Sequence, residues 1–318
     1  MSPLELAQGN LLSPVVLAFL FGLLAARLRT DLDVPEGLMG AASLYLLLAI
    51  GLRGGVELSS TSAGDFWLPA LVTLSLGITI PVVVFAVGRG PLKLLTADAG
   101  SLAAHYGSVS VVTFTAAITL LDARAVPVEG FMTTLLAMLE VPGIVVALAL
   151  ARAGSRTSFG LALRETLTGK SVMLLLGGLA IGFLAGEARF ERATPVFVDA
   201  FYGILVLFLL GLGLDVGRRL GDLRVAGTRL IAFGLIAPVV QGSLGTVLGA
   251  LAGLSTGGAT CLGVMAASAS YIAAPAAVRA ALPDASPARS LVPALCVTFP
   301  FNLVVGIPLF YALAHAIT

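Results

Sequence analysis

Apolar residues in this chain come in long runs, and the polar residues between them come in short clusters. The runs lie near 11–28, 36–52, 67–88, 96–121, 128–151, 170–186, 195–215, 227–252, 257–281 and 287–316. Roughly 20 apolar residues carry a helix across a ~30 Å hydrocarbon core, so the pattern predicts ten membrane-spanning helices. Clusters such as Arg29-Thr30-Asp31-Leu32-Asp33 and Arg89-Gly90-Pro91 punctuate the runs. The longest polar link, 152–169, divides the chain into 1–151 and 170–318. The only charge in the stretch before the first run is acidic, unlike the basic start of a cleaved signal peptide. The first run is therefore expected to remain as a helix.

Two runs have polar centres. The fourth has no Asp, Glu, Lys or Arg from Gly100 to Leu121, yet its middle reads His105-Tyr106-Gly107-Ser108-Val109-Ser110-Val111-Val112-Thr113. The ninth reads Ala267-Ser268-Ala269-Ser270-Tyr271-Ile272-Ala273-Ala274-Pro275. At membrane depth every backbone N–H and C=O needs a partner, so irregular or polar backbone survives only facing protein or a wet cavity. The fourth and ninth helices are therefore predicted to break near the bilayer midplane. Gly107 supplies freedom at one break, and Pro275 removes a donor at the other.

Composition fixes the class. Hydrophobic residues make up 58% of 318 and charged residues 11%, against about 25% charged in soluble domains. The mean hydropathy of +1.05 marks an all-α polytopic membrane protein. A net charge of +1 lends no support to nucleic acid as a partner. Lys and Arg are distributed unevenly: fourteen lie in connections after odd-numbered runs and four after even-numbered ones. Positive charge stays cytoplasmic. The expectation is a multi-pass protein of the inner (plasma) membrane, with both termini outside and the 152–169 link inside.

An internal repeat reinforces the count. A displacement of 160 residues carries Gly22-Leu23-Leu24-Ala25 onto Gly182-Phe183-Leu184-Ala185, and Ile50-Gly51-Leu52 onto Leu210-Gly211-Leu212. The same displacement carries Ser108 and Ser110 onto Ser268 and Ser270, and Pro127 onto Pro287. Five spans per unit is odd, so the second unit is inverted in the membrane. Inverted repeats whose broken helices meet at the midplane are a recurring plan of secondary transporters.

The candidate chemistry follows. Half-helix N-termini carry partial positive charge and free N–H groups, and adjacent hydroxyls complete an anion site. Gly107, Ser108, Ser110, Thr113, Ser268, Ser270 and Tyr271 are the substrate-binding candidates. Glu140 is the one acid well inside an apolar run, where a charge costs about 2.5–3.5 kcal/mol unless it is paired or used. The repeat brings Thr298-Phe299-Pro300-Phe301-Asn302 beside it. Glu140, Asn302 and Thr298 thus form a candidate oxygen-rich Na⁺ site. His105 reads as a polar cap at the break or as a proton-linked group. Arg53, Glu57 and Asp215 read as interfacial residues at run ends. Cys261 and Cys296 read as small core residues. With His105 and His315 the only histidines and no paired intramembrane acids, an enzyme has little to work with.

The stretches Ile50–Val56, Ala116–Asp122, Glu140-Val141-Pro142, Ala266–Ser270, Arg279–Pro287 and Gly306–Phe310 resemble the sodium-dependent bicarbonate transporters of cyanobacteria, in order and over nearly the whole chain. The resemblance implies a ten-helix inverted-repeat fold similar to bile-acid symporters and sodium/proton antiporters, with one half of each unit mobile and the other a scaffold. It also implies bicarbonate at the helix breaks with Na⁺ as coupling ion and no other cofactor. A homotrimer in the bilayer and a cytoplasmic regulatory protein are implied as well. Where family members carry an acid, this chain has Tyr271, and Val111-Val112 replaces smaller residues. The expected function is sodium-coupled import of a small anion by alternating access. The alternatives are transport of another anion, sodium/proton exchange through Glu140, and a membrane sensor that binds without transporting.

Overall fold

A computed structural model describes residues 11–59, 63–152, 164 and 168–318, and among them there is no strand. The expectations for residues 1–10, and for nearly all of the 152–169 link, lie outside the described residues. The helices are α1 (Pro14–Arg27), α2 (Glu36–Ser59), α3 (Ala63–Arg89), α4 (Thr96–Tyr106), α5 (Val111–Asp122), α6 (Met132–Ala151), α7 (Lys170–Phe190), α8 (Phe201–Arg219), α9 (Thr228–Leu251), α10 (Thr256–Ala267) and α11 (Ala273–Ala281). A last helical run, α12, spans Pro287–Ile317. Eight stretches are long and apolar enough to cross a membrane, with Pro14–Arg27 and Thr256–Ala267 as shorter apolar helices. The chain is a multi-pass membrane protein.

Local chemistry sets the ends of these helices. Ser13 caps α1 by accepting from Val16 N–H, with Pro14 in the first turn where no donor is needed. Ser255 caps α10 in the same way through Gly258 N–H. Within α12, the segments Ala294–Thr298 and Asn302–Gly306 widen into π-helix. They end two residues before Pro300 and Pro308, which cannot donate to the preceding turn.

Two helix pairs are closed by glycine. In α1 and α8, Gly22 lies on the backbone of Leu210 and Gly213 on the backbone of Phe19. In α2 and α7, Gly55 lies on Leu179 and Gly182 on Leu52. A Cβ at any of these positions would strike main chain, so the helices approach at backbone distance, as small residues permit in membranes. These pairs, α1·α8 and α2·α7, have the most extensive helix contacts in the molecule. The other helices form a second group, in which α4 and α5 are almost wholly buried. Apolar side chains such as Leu71, Ile78 and Val82 on α3 and Ile236 and Val240 on α9 face outward, where lipid would lie.

Two expectations change. The second run does not end near 52: α2 continues to Ser59, so Arg53 and Glu57 lie within the helix. Neither break depends on an unusual glycine or proline geometry. Gly107 has φ −86°, an ordinary helical value. Pro275 sits inside the first turn of α11, after the break and not in it. What Gly107 provides is space, since a Cβ there would meet Ala103 O and the Pro81 ring. Gly143 of α6 packs in turn against the Gly107 carbonyl.

Candidate functional site

The helix that begins at Thr96 stops at Tyr106, and α5 starts at Val111. Gly107 closes α4 by donating N–H to Ala103 O at 2.7 Å. Ser110 opens α5 as its cap, accepting from Thr113 N–H at 3.1 Å and from Thr113 Oγ1 at 2.8 Å. The second interruption runs from Ser268 to Ile272, between α10 and α11. There Ser270 Oγ accepts from Ala274 N–H at 3.1 Å, so each half-helix begins on a serine hydroxyl.

The two interruptions are bonded to each other. Ser110 N–H donates to Ser268 Oγ at 2.8 Å, and Ser270 N–H donates to His105 O at 2.8 Å. Ser110 Oγ donates to the Tyr271 hydroxyl at 3.0 Å. Residues 158 to 165 positions apart in the chain thus meet in one buried junction. In the first turns of α5 and α11, Thr113 and Ala274 N–H are taken by the serine caps and Pro275 has no donor, which leaves Val111, Val112 and Ala273 N–H without an intrahelical partner.

A small cavity adjoins the junction, lined by Leu47, Val109, Ser110, Glu140, Ser270 and Tyr271 among others. Glu140 is 1% exposed, and its Oε2 has no hydrogen-bond partner. Ser108 Oγ is also buried without a partner. A buried polar atom left unpaired costs about 1–3 kcal/mol, and a carboxylate costs more. Such unpaired buried atoms call for a partner, an ordered water or a bound ion among the candidates.

The candidate residues divide into groups. Gly107, Ser108, Ser110, Thr113, Ser268, Ser270 and Tyr271 all lie at the junction. Glu140 faces the cavity beside the first break. Asn302 instead donates from Nδ2 to Ala267 O at 2.8 Å, at the end of α10, and its Oδ1 is buried without a partner. Thr298 donates to Gly234 O and accepts from the Tyr106 hydroxyl, each at 2.7 Å, which ties α12 to α9 and α4. No hydrogen bond among the described residues joins Glu140, Asn302 and Thr298 to one another. His105 does not cap the break through its ring: Nδ1 pairs with Ser101 O one turn back, at 2.8 Å. Cys261 and Cys296 are free and buried.

Two further contacts were not anticipated from the sequence. Asp98, in the first turn of α4, accepts from Ser286 N–H at 2.8 Å and from Arg289 Nη1 at 2.6 Å, ahead of and within the start of α12. At the start of α10, Glu129 accepts from Ser255 N–H at 2.5 Å and from Ser255 Oγ at 3.1 Å. The displacement of 160 that carries Asp98 onto Gly258 also carries Glu129 onto Arg289, and that signal could have found the pair. Each broken helix is thereby anchored at its outer end to the chain just before or within the helix that follows the other.

The arrangement gathers serine, threonine and tyrosine hydroxyls at one junction, with the Glu140 carboxylate lining the small cavity beside it. In comparisons with known proteins, a family model described as Na+-dependent bicarbonate transporter superfamily matches residues 14–315. No curated protein matches the chain.

Proposed function

The chain belongs to the Na+-dependent bicarbonate transporter superfamily, a family of transporters and not of enzymes, and on that premise we propose that it imports bicarbonate coupled to sodium by alternating access. The observation that carries this reading is the junction of two interrupted apolar helices with unpaired Ser108 Oγ and Glu140 Oε2 beside it. Bicarbonate, a planar monovalent anion, takes the uncapped N–H groups of Val111, Val112 and Ala273 and the hydroxyls of Ser108, Ser110, Thr113, Ser268 and Ser270. Na⁺ takes Glu140, with Asn302 Oδ1 as the second oxygen from the other break. The ion needs no further cofactor.

The topology in this reading is ten spans in two inverted units, 1–151 and 170–318, joined by the 152–169 link. The eight long stretches, α1 and the α10–α11 unit give ten. Helix boundaries support the displacement seen in the sequence: Thr96 and Thr256 open α4 and α10, and Ser59 and Arg219 close α2 and α8. The pairs α1·α8 and α2·α7 exchange under the same displacement. Both termini then lie outside the inner membrane. A homotrimer and a cytoplasmic regulatory protein belong to this reading through the family.

One Na⁺ with one HCO₃⁻ moves no net charge. A tenfold sodium gradient then supplies about 1.4 kcal/mol, enough for about tenfold accumulation. The test is uptake of radiolabelled bicarbonate into proteoliposomes under an inward sodium gradient. Accumulation that disappears when potassium replaces sodium is the expected result, and equal uptake in both salts contradicts it. The unpaired Glu140 favours one second reading, sodium/proton exchange. That activity would change the internal pH of vesicles in the absence of bicarbonate, and Glu140→Gln would abolish the change.

A further inference from the structure

Between α2, α5 and α6 lies a crevice of about 130 Å³, open at the end where α2 and α5 terminate. On the topology proposed above this is the outer face. The crevice and the inner cavity follow the same two helices. Leu47 lines the cavity and Ile50 the crevice, one turn apart on α2; Val111 and Phe114 stand in the same relation on α5. Ile50 and Phe114 are buried and apolar, and they part the two spaces. One turn further out from Ile50, Arg53 lines the crevice.

Arg53 is partly buried and is not one of the residues that close the helix pairs. Its neighbours Gly51, Gly54 and Gly55 make the close helix contacts, with α7 and with Thr133 of α6. The position 160 residues on is Gly213, which lies on the Phe19 backbone. Among the described residues the Arg53 guanidinium makes no hydrogen bond and no ion pair. Glu57, one turn along, attracts it from further off, and Asp122 lies within electrostatic range of Glu57. A guanidinium within a membrane-spanning helix and facing a wet crevice is positioned to act on ions that pass.

We infer that Arg53 selects the anion on its way in: its charge draws bicarbonate into the crevice and delivers it to the apolar partition of Ile50 and Phe114, while Glu57 and Asp122 keep the same passage open to sodium. This rests on the bicarbonate reading above. Clefts lined by charge raise the local concentration of the opposite ion, and salt weakens the effect. The residue touches the anion before binding and not in the junction, so it acts on capture and leaves turnover alone.

The experiment is bicarbonate uptake in proteoliposomes by the wild type, Arg53→Gln and Arg53→Lys at two ionic strengths. Arg53→Gln should raise the bicarbonate KM by about tenfold and leave the maximal rate and the sodium dependence as they were. Arg53→Lys should keep most of the wild-type KM, because steering needs the charge and not the planar fork. Raising the ionic strength should raise the wild-type KM and leave that of Arg53→Gln nearly flat. An unchanged KM in Arg53→Gln overturns the inference while the functional reading stands, as does an Arg53→Lys protein as impaired as Arg53→Gln. A wild type that carries no bicarbonate removes the functional reading and this inference with it.

Discussion

Ser108 and Ser268 occupy corresponding places in the two interrupted helices, and their hydroxyls are used differently. Ser268 Oγ donates to Met265 O and accepts from Ser110 N–H, both at 2.8 Å. Ser108 Oγ is buried and bonds to nothing. The acidic and amide side chains also differ. Glu140 keeps an unpaired oxygen in the cavity, whereas Asn302 spends its amide N–H₂ on Ala267 O at the end of α10 and keeps only Oδ1 unpaired. A repeat that looks symmetric in sequence thus carries one serine with an open hydroxyl and one whose hydroxyl braces the junction. Ser108 keeps hydrogen-bonding capacity open for a ligand; Ser268 uses its own to hold the two breaks together.

That contrast can be broken at graded cost. The largest effect is expected from Glu140→Gln, which keeps the shape and removes the charge. Sodium-driven bicarbonate uptake should fall by at least about tenfold, the equivalent of 1.4 kcal/mol or more, and raising sodium should not restore it. Ser108→Ala comes next. A hydrogen bond to a charged ligand contributes about 1.5–3 kcal/mol, so the bicarbonate KM should rise by about tenfold or more. Thermal stability should hold, because no partner within the protein is lost. Ser268→Ala should show the reverse balance. It removes two internal bonds, so the unfolding midpoint in detergent should fall, by the equivalent of about 1–2 kcal/mol, with a smaller change in KM than Ser108→Ala gives. If Ser268→Ala proves the more damaging to affinity and the less damaging to stability, the division of labour is wrong. Tyr271→Phe should be the mildest. It deletes the acceptor for Ser110 Oγ but keeps the ring against Phe299, 5.3 Å between centroids. A change of severalfold in KM at most is expected, from a neutral bond worth about 1 kcal/mol.

Much of the molecule was legible in the chain. Gly107-Ser108-Val109-Ser110 and Ser268-Ala269-Ser270 pointed to the interruptions, because hydroxyls clustered in the middle of an uncharged run need a partner away from lipid. Their union was legible through the displacement of 160. The asymmetry was not, since which serine bonds inward depends on the crossing of two chains and on rotamers that no spacing records. The end of α2 was misjudged because Arg53 and Glu57 resemble the polar stop of a span, and only the crevice beside them explains how they remain inside one. The anchors at Asp98 and Glu129 join residues 191 and 126 positions away, beyond any local periodicity. Thr298 looked like a ligand on account of its neighbours, and its hydroxyl turns out to be bonded to Gly234 O and the Tyr106 hydroxyl.

The central claim is that bicarbonate rides a sodium gradient through the junction of the two breaks. It is tested most directly by radiolabelled bicarbonate uptake in proteoliposomes, comparing the wild type with the Ser108→Ala/Ser268→Ala double variant under one sodium gradient. The account predicts sodium-dependent accumulation by the wild type and its loss in the double variant, with the variant still folded by thermal melting. Full uptake by the double variant, or no sodium-dependent accumulation by the wild type, would contradict it.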